Sequence, residues 1–405
     1  MTRLAVLSYH TSPMAQPGTG DGGGMNVYVR ELSSALARLG HEVDVYTRRS
    51  HIAEADVVYV EPGFRVHNVT AGPAHEISRD ELIANIPVFT SAVGTLFRKD
   101  GPPDVMHANY WMSGLAGHEL KHELNIPLVM TFHTLERVKA ATFVAESDER
   151  ATEEGRIFAC ADAVLASCDI EAQQFTEFYN ANPERVHVVP LGVEHAFFAP
   201  GYQPQARRAL GLHENAEMLL YIGRLQELKG VDLALETLIE MRERGRDVTL
   251  AIVGGPSGES GRVTLERLRM RVAEAGVISR VMFVAPQSHQ LLSTWMRAAS
   301  VTLVPSRAES FGLVALESAA TGTPVVASKV GGLITLIEDG VTGRLLTSRE
   351  PKDWADAVIE LLDAGDLGAM SNASMSFAKS YSWKAAAQSV DNLVHRFEET
   401  GLIRC

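Results

Sequence analysis

Residues 191–205 read LGVEHAFFAPGYQPQ, and this stretch decides how the rest of the chain divides. It contains glycine and prolines and follows neither the alternation of a strand nor the spacing of a helix. Before it, short β-rich runs alternate with helical stretches: RLAVLSY (3–9), EVDVYTR (42–48), FRVHNVT (64–70), DVMHAN (104–109), PLVMTFH (127–133), DAVLAS (162–167) and VHVVP (186–190). After it the alternation restarts with EMLLYIG (217–223), VTLAIVGG (248–255), RVMFVAP (280–286), SVTLVPS (300–306) and TPVVAS (323–328), then GRLLT (343–347) and three helical stretches. Strands that alternate with helices predict parallel sheets covered by helices. An alternation that breaks and begins afresh predicts an α/β chain of two open sheets rather than one barrel. The expected domains are 1–195, completed by a helix at 385–405, and 196–384.

Bulk properties agree with that division. A chain of 405 residues suggests two domains, since one domain averages about 100–200 residues. The formal charge of −13 argues against a nucleic-acid or anionic-membrane surface, which needs basic patches. It leaves room for a small phosphorylated ligand held by a few Arg and Lys. Three cysteines occur, Cys160, Cys168 and Cys405, without a CxxC, and the histidines are read as forming no metal-ligand cluster. That is the expectation for a reduced, cytoplasmic chain without structural zinc. MTRLAVLSYH is too short and too soon polar for a signal peptide, and no apolar run approaches the ~20 residues of a spanning helix.

The stretch QPGTGDGGGMN (16–26) places Gly18, Gly20 and Gly23 at G-x-G-x-x-G spacing. In a dinucleotide site the first glycine follows the strand almost at once, and an acidic residue about 20 residues on binds the ribose. Here a long, proline-containing run separates Tyr9 from Gly18, and the second strand closes on YTRR with no carboxylate. The dinucleotide reading is therefore disfavoured. Met25, Val29, Leu32, Leu36 and Leu39 recur at helical spacing, so a helix starts near Met25. Its free amides and partial positive charge form an anion site, and Gly22 to Gly24 carry no side chains to block approach.

Two further patterns follow strands of the second domain. YIGRLQELKG places Arg224 and Lys229 at R-x4-K on a strand-to-helix loop, where open α/β sheets bind ligands. A guanidinium fork with a movable ammonium suits a pyrophosphate, although solvated cations on loops are common. ESFGLVALE holds Glu309 and Glu317, with Gly312 between loop and helix. If the stretch were wholly helical the carboxylates would lie about 12 Å apart, too far for a glycosidase pair flanking one bond. Acids that face different parts of a long ligand would instead accept hydrogen bonds from hydroxyls of a sugar and of a ribose. Taken singly, Glu309 reads better as a helix-start acid and Glu317 as a solvated face residue.

As a set these features resemble the retaining GT-B glycosyltransferases of family 4, which use nucleotide-sugar donors. The likeness rests on Arg224/Lys229, Glu309/Glu317, the linker PLGVEHAFFAP and the segment GTPVVASKVGG (322–332). It implies two Rossmann-like domains facing across a cleft, a retained configuration, and no enzymic nucleophile, with the leaving UDP phosphate taking the acceptor's proton. HTSPMAQPGTGDGGGMNVYV, MHANYWMSG and FHTLERVK further resemble the actinobacterial branch that transfers N-acetylglucosamine from UDP to inositol 3-phosphate, opening mycothiol synthesis. That resemblance implies an acceptor site of His10, Asp21, Asn26, Arg79, Tyr110, His133, Thr134 and Arg150. It implies a donor site of Gln16, Pro17, Gly24, Arg224, Lys229, Gln287, Glu309 and Glu317. His133, Arg224, Lys229 and Glu309 would be catalytic, and a homodimer without nucleic-acid or membrane partners is expected. No cofactor is required; the family sometimes carries Mg2+, here through backbone or hydroxyl oxygens at Met296, Arg297, Ala299 and Thr323.

Departures from the branch pattern are visible. Arg79 stands where lysine is usual, Glu136 and Arg137 replace small residues, and the segment around Arg150 lacks the family's RRICE run. Gln287 replaces an arginine near the uracil. The rival readings are a sucrose-phosphate-synthase-like acceptor, a phosphatidylinositol acceptor and a silent nucleotide-sugar sensor. The lipid acceptor predicts a basic amphipathic helix, which EISRDELIANIPVFTSAVGTLFRK (76–99) does not supply.

Overall fold

A computed structural model describes residues 1–20, 22–142, 147–364, 367–397, 402–403 and 405. The first set of strands is β1 (Arg3–Leu7), β2 (Glu42–Arg48), β3 (Val57–Glu61), β4 (Phe64–Val69), β5 (Val105–Asn109), β6 (Leu128–Thr131), β7 (Ala163–Ala166) and β8 (Val186–Val188). They form one sheet in the order β3-β4-β2-β1-β5-β6-β7-β8. Every pairing in it is parallel except β3 with β4. β3 was not expected. VVYVE carries Tyr59 77% exposed, so it lacks the buried apolar run that marks the central strands, and it pairs at the sheet edge. The central strands are the opposite case: Leu4 to Leu7 of β1 are at most 2% exposed, as a parallel strand covered on both faces requires.

The second set is β9 (Glu217–Ile222), β10 (Val248–Val253), β11 (Val281–Val284), β12 (Val301–Val304), β13 (Val325–Ser328) and β14 (Arg344–Leu346). It forms a parallel sheet in the order β11-β10-β9-β12-β13-β14. The chain resolves into two compact units, one of Met1–Ala15, Met25–Pro190 and Trp383–Cys405, the other of Gln16–Gly24 and Leu191–Ser382. The helix Trp383–Phe397 belongs to the first unit, where Trp383 packs edge-on against Tyr28 and Asp391 pairs with buried His41 at 3.1 Å.

Both sheets have a switch point, where neighbouring strands send their connections in opposite directions. In the first it lies between β1 and β5, in the second between β9 and β12. Loops leaving the carboxyl ends of such strands diverge and open a crevice there. This topology places the candidate residues of each unit.

The cysteine reading needs correction. The structure joins Cys160 to Cys405, with Cα atoms 5.3 Å apart, and leaves Cys168 free and buried. Two residues distant in sequence meet because both come to rest beside the helix Trp111–Leu124. No described helix is long and apolar enough to cross a membrane.

Candidate active site

In the second unit the loop after β9 carries Arg224 and Lys229, and the loop after β12 carries Ser306 and Glu309. Because β9 and β12 are adjacent, these loops meet: Lys229 Nζ donates to Glu309 Oε2 at 2.8 Å, and Ser306 Oγ donates to the same oxygen at 3.0 Å. The two residues read separately in the sequence thus form one ion pair. Backbone packing leaves little freedom here. A Cβ on Gly331 would stand 1.8 Å from the Glu309 carbonyl oxygen, and one on Gly230 would stand 2.0 Å from that of Pro305. Gly332 N donates to the Glu309 carbonyl at 3.0 Å, so the GTPVVASKVGG segment clamps the glutamate loop. Gly312, at φ 107, opens the helix Leu313–Thr321, in which Glu317 is buried.

The glycine loop belongs to this same unit. Gly18, at φ 87, donates to Gly22 O at 2.9 Å and closes a tight turn against Pro286. A Cβ on Gly23 would meet Arg224 Nε at 3.4 Å, and one on Gly24 would meet Leu313 at 3.5 Å. The glycines therefore let this loop approach the guanidinium closely. Arg224 and Lys229 concentrate positive potential beside this loop, which suits a diphosphate. Gln16 Nε2 donates to Gln287 O at 2.7 Å, with Pro17 next in the turn, while the Gln287 side chain folds back onto Ala285 O at 2.7 Å. Asp21 lies outside the described residues.

In the first unit, His10 follows β1, Tyr110 follows β5, and His133 and Thr134 follow β6. All leave the carboxyl edge around the switch point. The His10 and Tyr110 rings lie 4.4 Å apart, and the Arg150 guanidinium sits over Tyr110 at 5.2 Å. Arg150 Nη2 donates to Thr134 O at 3.0 Å and to its Oγ1 at 3.2 Å. Four of the expected acceptor residues are thereby brought together. Arg150 is 1% exposed and paired with Glu154 at 2.8 Å and Glu136 at 3.3 Å. Glu136, an outlier from the family pattern, is part of this buried counter-charge. Arg79 is the first residue of the helix Arg79–Asp100, which a Ser78/Glu81 capping box starts. Arg79 thus sits at the start of the helix, beside its positive end.

Backbone strain marks the same residues. Among the described residues four non-glycine positions have positive φ. Asn125 and Asn180 are left-handed helix caps, an ordinary use of asparagine. The others are Tyr110 at φ 74 and His133 at φ 63. Bulky residues held there imply surroundings that over-determine their aim. His133 Nε2 lies 2.9 Å from Asn109 Oδ1, which can only accept, so the proton sits on Nε2. Tyr28 packs edge-on against the same ring. Burial, aided by the nearby His107 and His10, holds His133 down to about 3, so the imidazole is neutral near pH 7.

Two expectations change. Asn26 is 1% exposed and its amide donates to Thr11 Oγ1 at 2.8 Å and Ser12 O at 2.7 Å, so it braces the loop after β1. The suggested magnesium set does not fit a cation. Thr323 Oγ1 donates to Met296 O at 2.7 Å, Gln203 donates to Ala299 O at 2.7 Å, and the Arg297 guanidinium bonds Phe197 O and Ala199 O. A divalent ion prefers anionic and carbonyl oxygens, and this set offers engaged carbonyls beside a cation. Sequence reading also missed Asn109, Glu154 and Ser306, which orient His133, Arg150 and Glu309. Asn109 meets His133 only because β5 and β6 are neighbours, whereas Glu154 lies one helical turn from Arg150 and Ser306 three residues from Glu309, a spacing that could have pointed to both.

Comparison with known proteins shows the family. Residues 23–192 match the family described as Glycosyl transferase 4-like domain, and residues 203–375 match Glycosyl transferases group 1. A protein named D-inositol 3-phosphate glycosyltransferase from Kribbella flavida is 43% identical, covering 96% of this chain and 94% of its own. The chain is a family 4 glycosyltransferase of the GT-B fold. One of the same name from Mycolicibacterium smegmatis is 42% identical over 97% of this chain and 90% of its own. A sucrose-phosphate synthase from Thermosynechococcus elongatus superposes on this glycosyltransferase with a TM-score of 0.91 and 31% identity, covering 98% of it and 100% of that chain. HepE from Anabaena, solved with UDP-glucose, shares the fold at a TM-score of 0.79 and 18% identity, over 98% of this chain and 100% of its own.

Proposed function

We propose that this glycosyltransferase moves N-acetylglucosamine from its UDP donor onto 1D-myo-inositol 3-phosphate with retention of configuration, the first step of mycothiol synthesis. The single observation that carries a phosphorylated acceptor is the Tyr110–Arg150–Thr134 group at the carboxyl edge of β5 and β6. Arg150 polarises the Thr134 hydroxyl and fixes the Tyr110 ring, and Arg79 supplies a further cation. Neutral His133, its Nε2 proton directed to Asn109, would face the acceptor beside this group.

On the donor side, Arg224, Lys229 and the Gly24 helix start would stabilise charge growing on the departing phosphate. Glu309 would accept hydrogen bonds from sugar hydroxyls, and Glu317 from the ribose. Relatives named for D-inositol 3-phosphate support this acceptor over the sugar phosphate that a sucrose-phosphate synthase uses. The test is UDP release with UDP-N-acetylglucosamine and UDP-glucose crossed against inositol 3-phosphate, free inositol and fructose 6-phosphate. Turnover with UDP-N-acetylglucosamine and inositol 3-phosphate is expected to exceed every other pairing; preference for fructose 6-phosphate refutes the acceptor.

A further inference from the structure

The helix Trp111–Leu124 carries His118 and His122, one turn apart on one face, in the run HELKH. Cys160 closes the helix Asp148–Cys160, and Cys405 comes to the same place. One ligand atom from each of these four residues lies within 4.8 Å of the others. His122 Nε2 is 3.3 Å from the sulfur of Cys160 and 3.3 Å from that of Cys405. His118 Nδ1 is buried without a hydrogen-bond partner, while its Nε2 takes a long contact of 3.4 Å from Arg156. A buried imidazole nitrogen without a partner, in a residue grouped with two sulfurs, needs a reason.

The geometry points to a structural Zn2+ site formed by His118, His122, Cys160 and Cys405 when the cysteines are reduced. Two thiolates and two imidazoles are a soft tetrahedral set, the pattern that selects zinc. Zn–S bonds of about 2.3 Å and Zn–N bonds of about 2.0 Å put neighbouring ligand atoms about 3.3–3.8 Å apart, within the observed spread. Two thiolates cancel the charge of the ion, so the half-buried complex has no net charge to desolvate. HELKH spells the zinc motif of metalloproteases, but two cysteines complete the shell here and leave no place for a reactive water. The site is therefore structural and stands apart from the sugar-transfer residues.

The disulfide and the zinc complex are alternative states of the same sulfurs. Reducing the Cys160–Cys405 bond takes two electrons and two protons, supplied by a dithiol that becomes a disulfide. Zn2+ then displaces the two thiol protons as the sulfurs separate to about 3.8 Å. The disulfide ties Cys405 to the helix Asp148–Cys160, the zinc complex would tie it to the helix Trp111–Leu124 as well, and Ile403 N adds a 2.9 Å bond to Asp162.

The full chain, reduced with a phosphine, stripped with EDTA and desalted without oxygen, is titrated with Co2+ and then Zn2+. One Co2+ per chain is expected, with a thiolate-to-cobalt charge-transfer band and the strong visible absorption of tetrahedral cobalt, displaced by one equivalent of Zn2+. His122→Ala and Cys405→Ser should each lose that signal, whereas Cys168→Ser keeps it. Oxidation to the disulfide should release the metal stoichiometrically. Absence of charge-transfer absorption in the reduced wild-type chain, or cobalt binding that survives both His122→Ala and Cys405→Ser, overturns the assignment. The wild-type titration decides even where a variant folds poorly.

Discussion

Lys229→Ala isolates the donor half of the proposed reaction. Lys229 and Glu309 retain 29% and 16% side-chain exposure, so their 2.8 Å ion pair contributes only about 1 kcal/mol to stability. Ser306 still holds Glu309 after the change. The folded state should therefore survive, and a loss of activity would report chemistry. Removing one preorganised donor from a charge that develops in the transition state costs about 3–4 kcal/mol, or roughly a 10²–10³-fold fall in kcat. The assay is steady-state UDP release with an acceptor present, beside a thermal melt of the same preparation. Glu309→Gln and the double variant separate the two roles of Lys229. If it only positions Glu309, the double variant should be no slower than Glu309→Gln alone; if it acts on the phosphate, the double variant falls further. An unchanged kcat in Lys229→Ala refutes the donor assignment.

Other consequences are as specific. Gly331→Ala would push a methyl against the Glu309 carbonyl, 1.8 Å from its ideal position, and demand a residue at φ 48. It should cost about 1–3 kcal/mol by urea unfolding and depress turnover, and a neutral result would mean the clamp is not needed. Arg79→Ala should raise KM for a phosphorylated acceptor by about tenfold and leave donor KM unchanged, as an initial-rate matrix would reveal. Burial holds His133 near 3 and His107 near 4, so both are neutral in the folded chain and charge on unfolding below about 6.5. The unfolded state then binds more protons, and stability falls as pH drops. Each should contribute about 2 kcal/mol to the loss between pH 7 and pH 5. Urea midpoints at the two pH values check this, and replacing both imidazoles should flatten the slope.

Periodicity alone made much of the architecture legible. Thirteen of the fourteen strands follow from apolar runs, the clearest being RLAVLSY and VTLAIVGG, whose residues are buried on both faces. β3 was not legible, because an edge strand with exposed Tyr59 carries no such run. β8 and β14 are shorter still, at three residues each, yet VHV and RLL read as apolar β segments. Local chemistry made the glycine loop readable as an anion site, since what matters there is the lack of side chains before a helix.

What the tertiary structure decided is which of these local features meet. Lys229 and Glu309 are 80 residues apart and pair only because β9 and β12 are neighbours in the sheet. Arg150 reaches Thr134 and Tyr110 through helix packing, and its buried counter-charges Glu154 and Glu136 cannot be told from surface acids in a sequence. HELKH with two remote cysteines became a four-ligand group only when Cys160 and Cys405, 245 residues apart, came to one helix. Sequence periodicity reports burial along a segment; a site depends on the order in which strands lie side by side, and that is a property of the whole sheet.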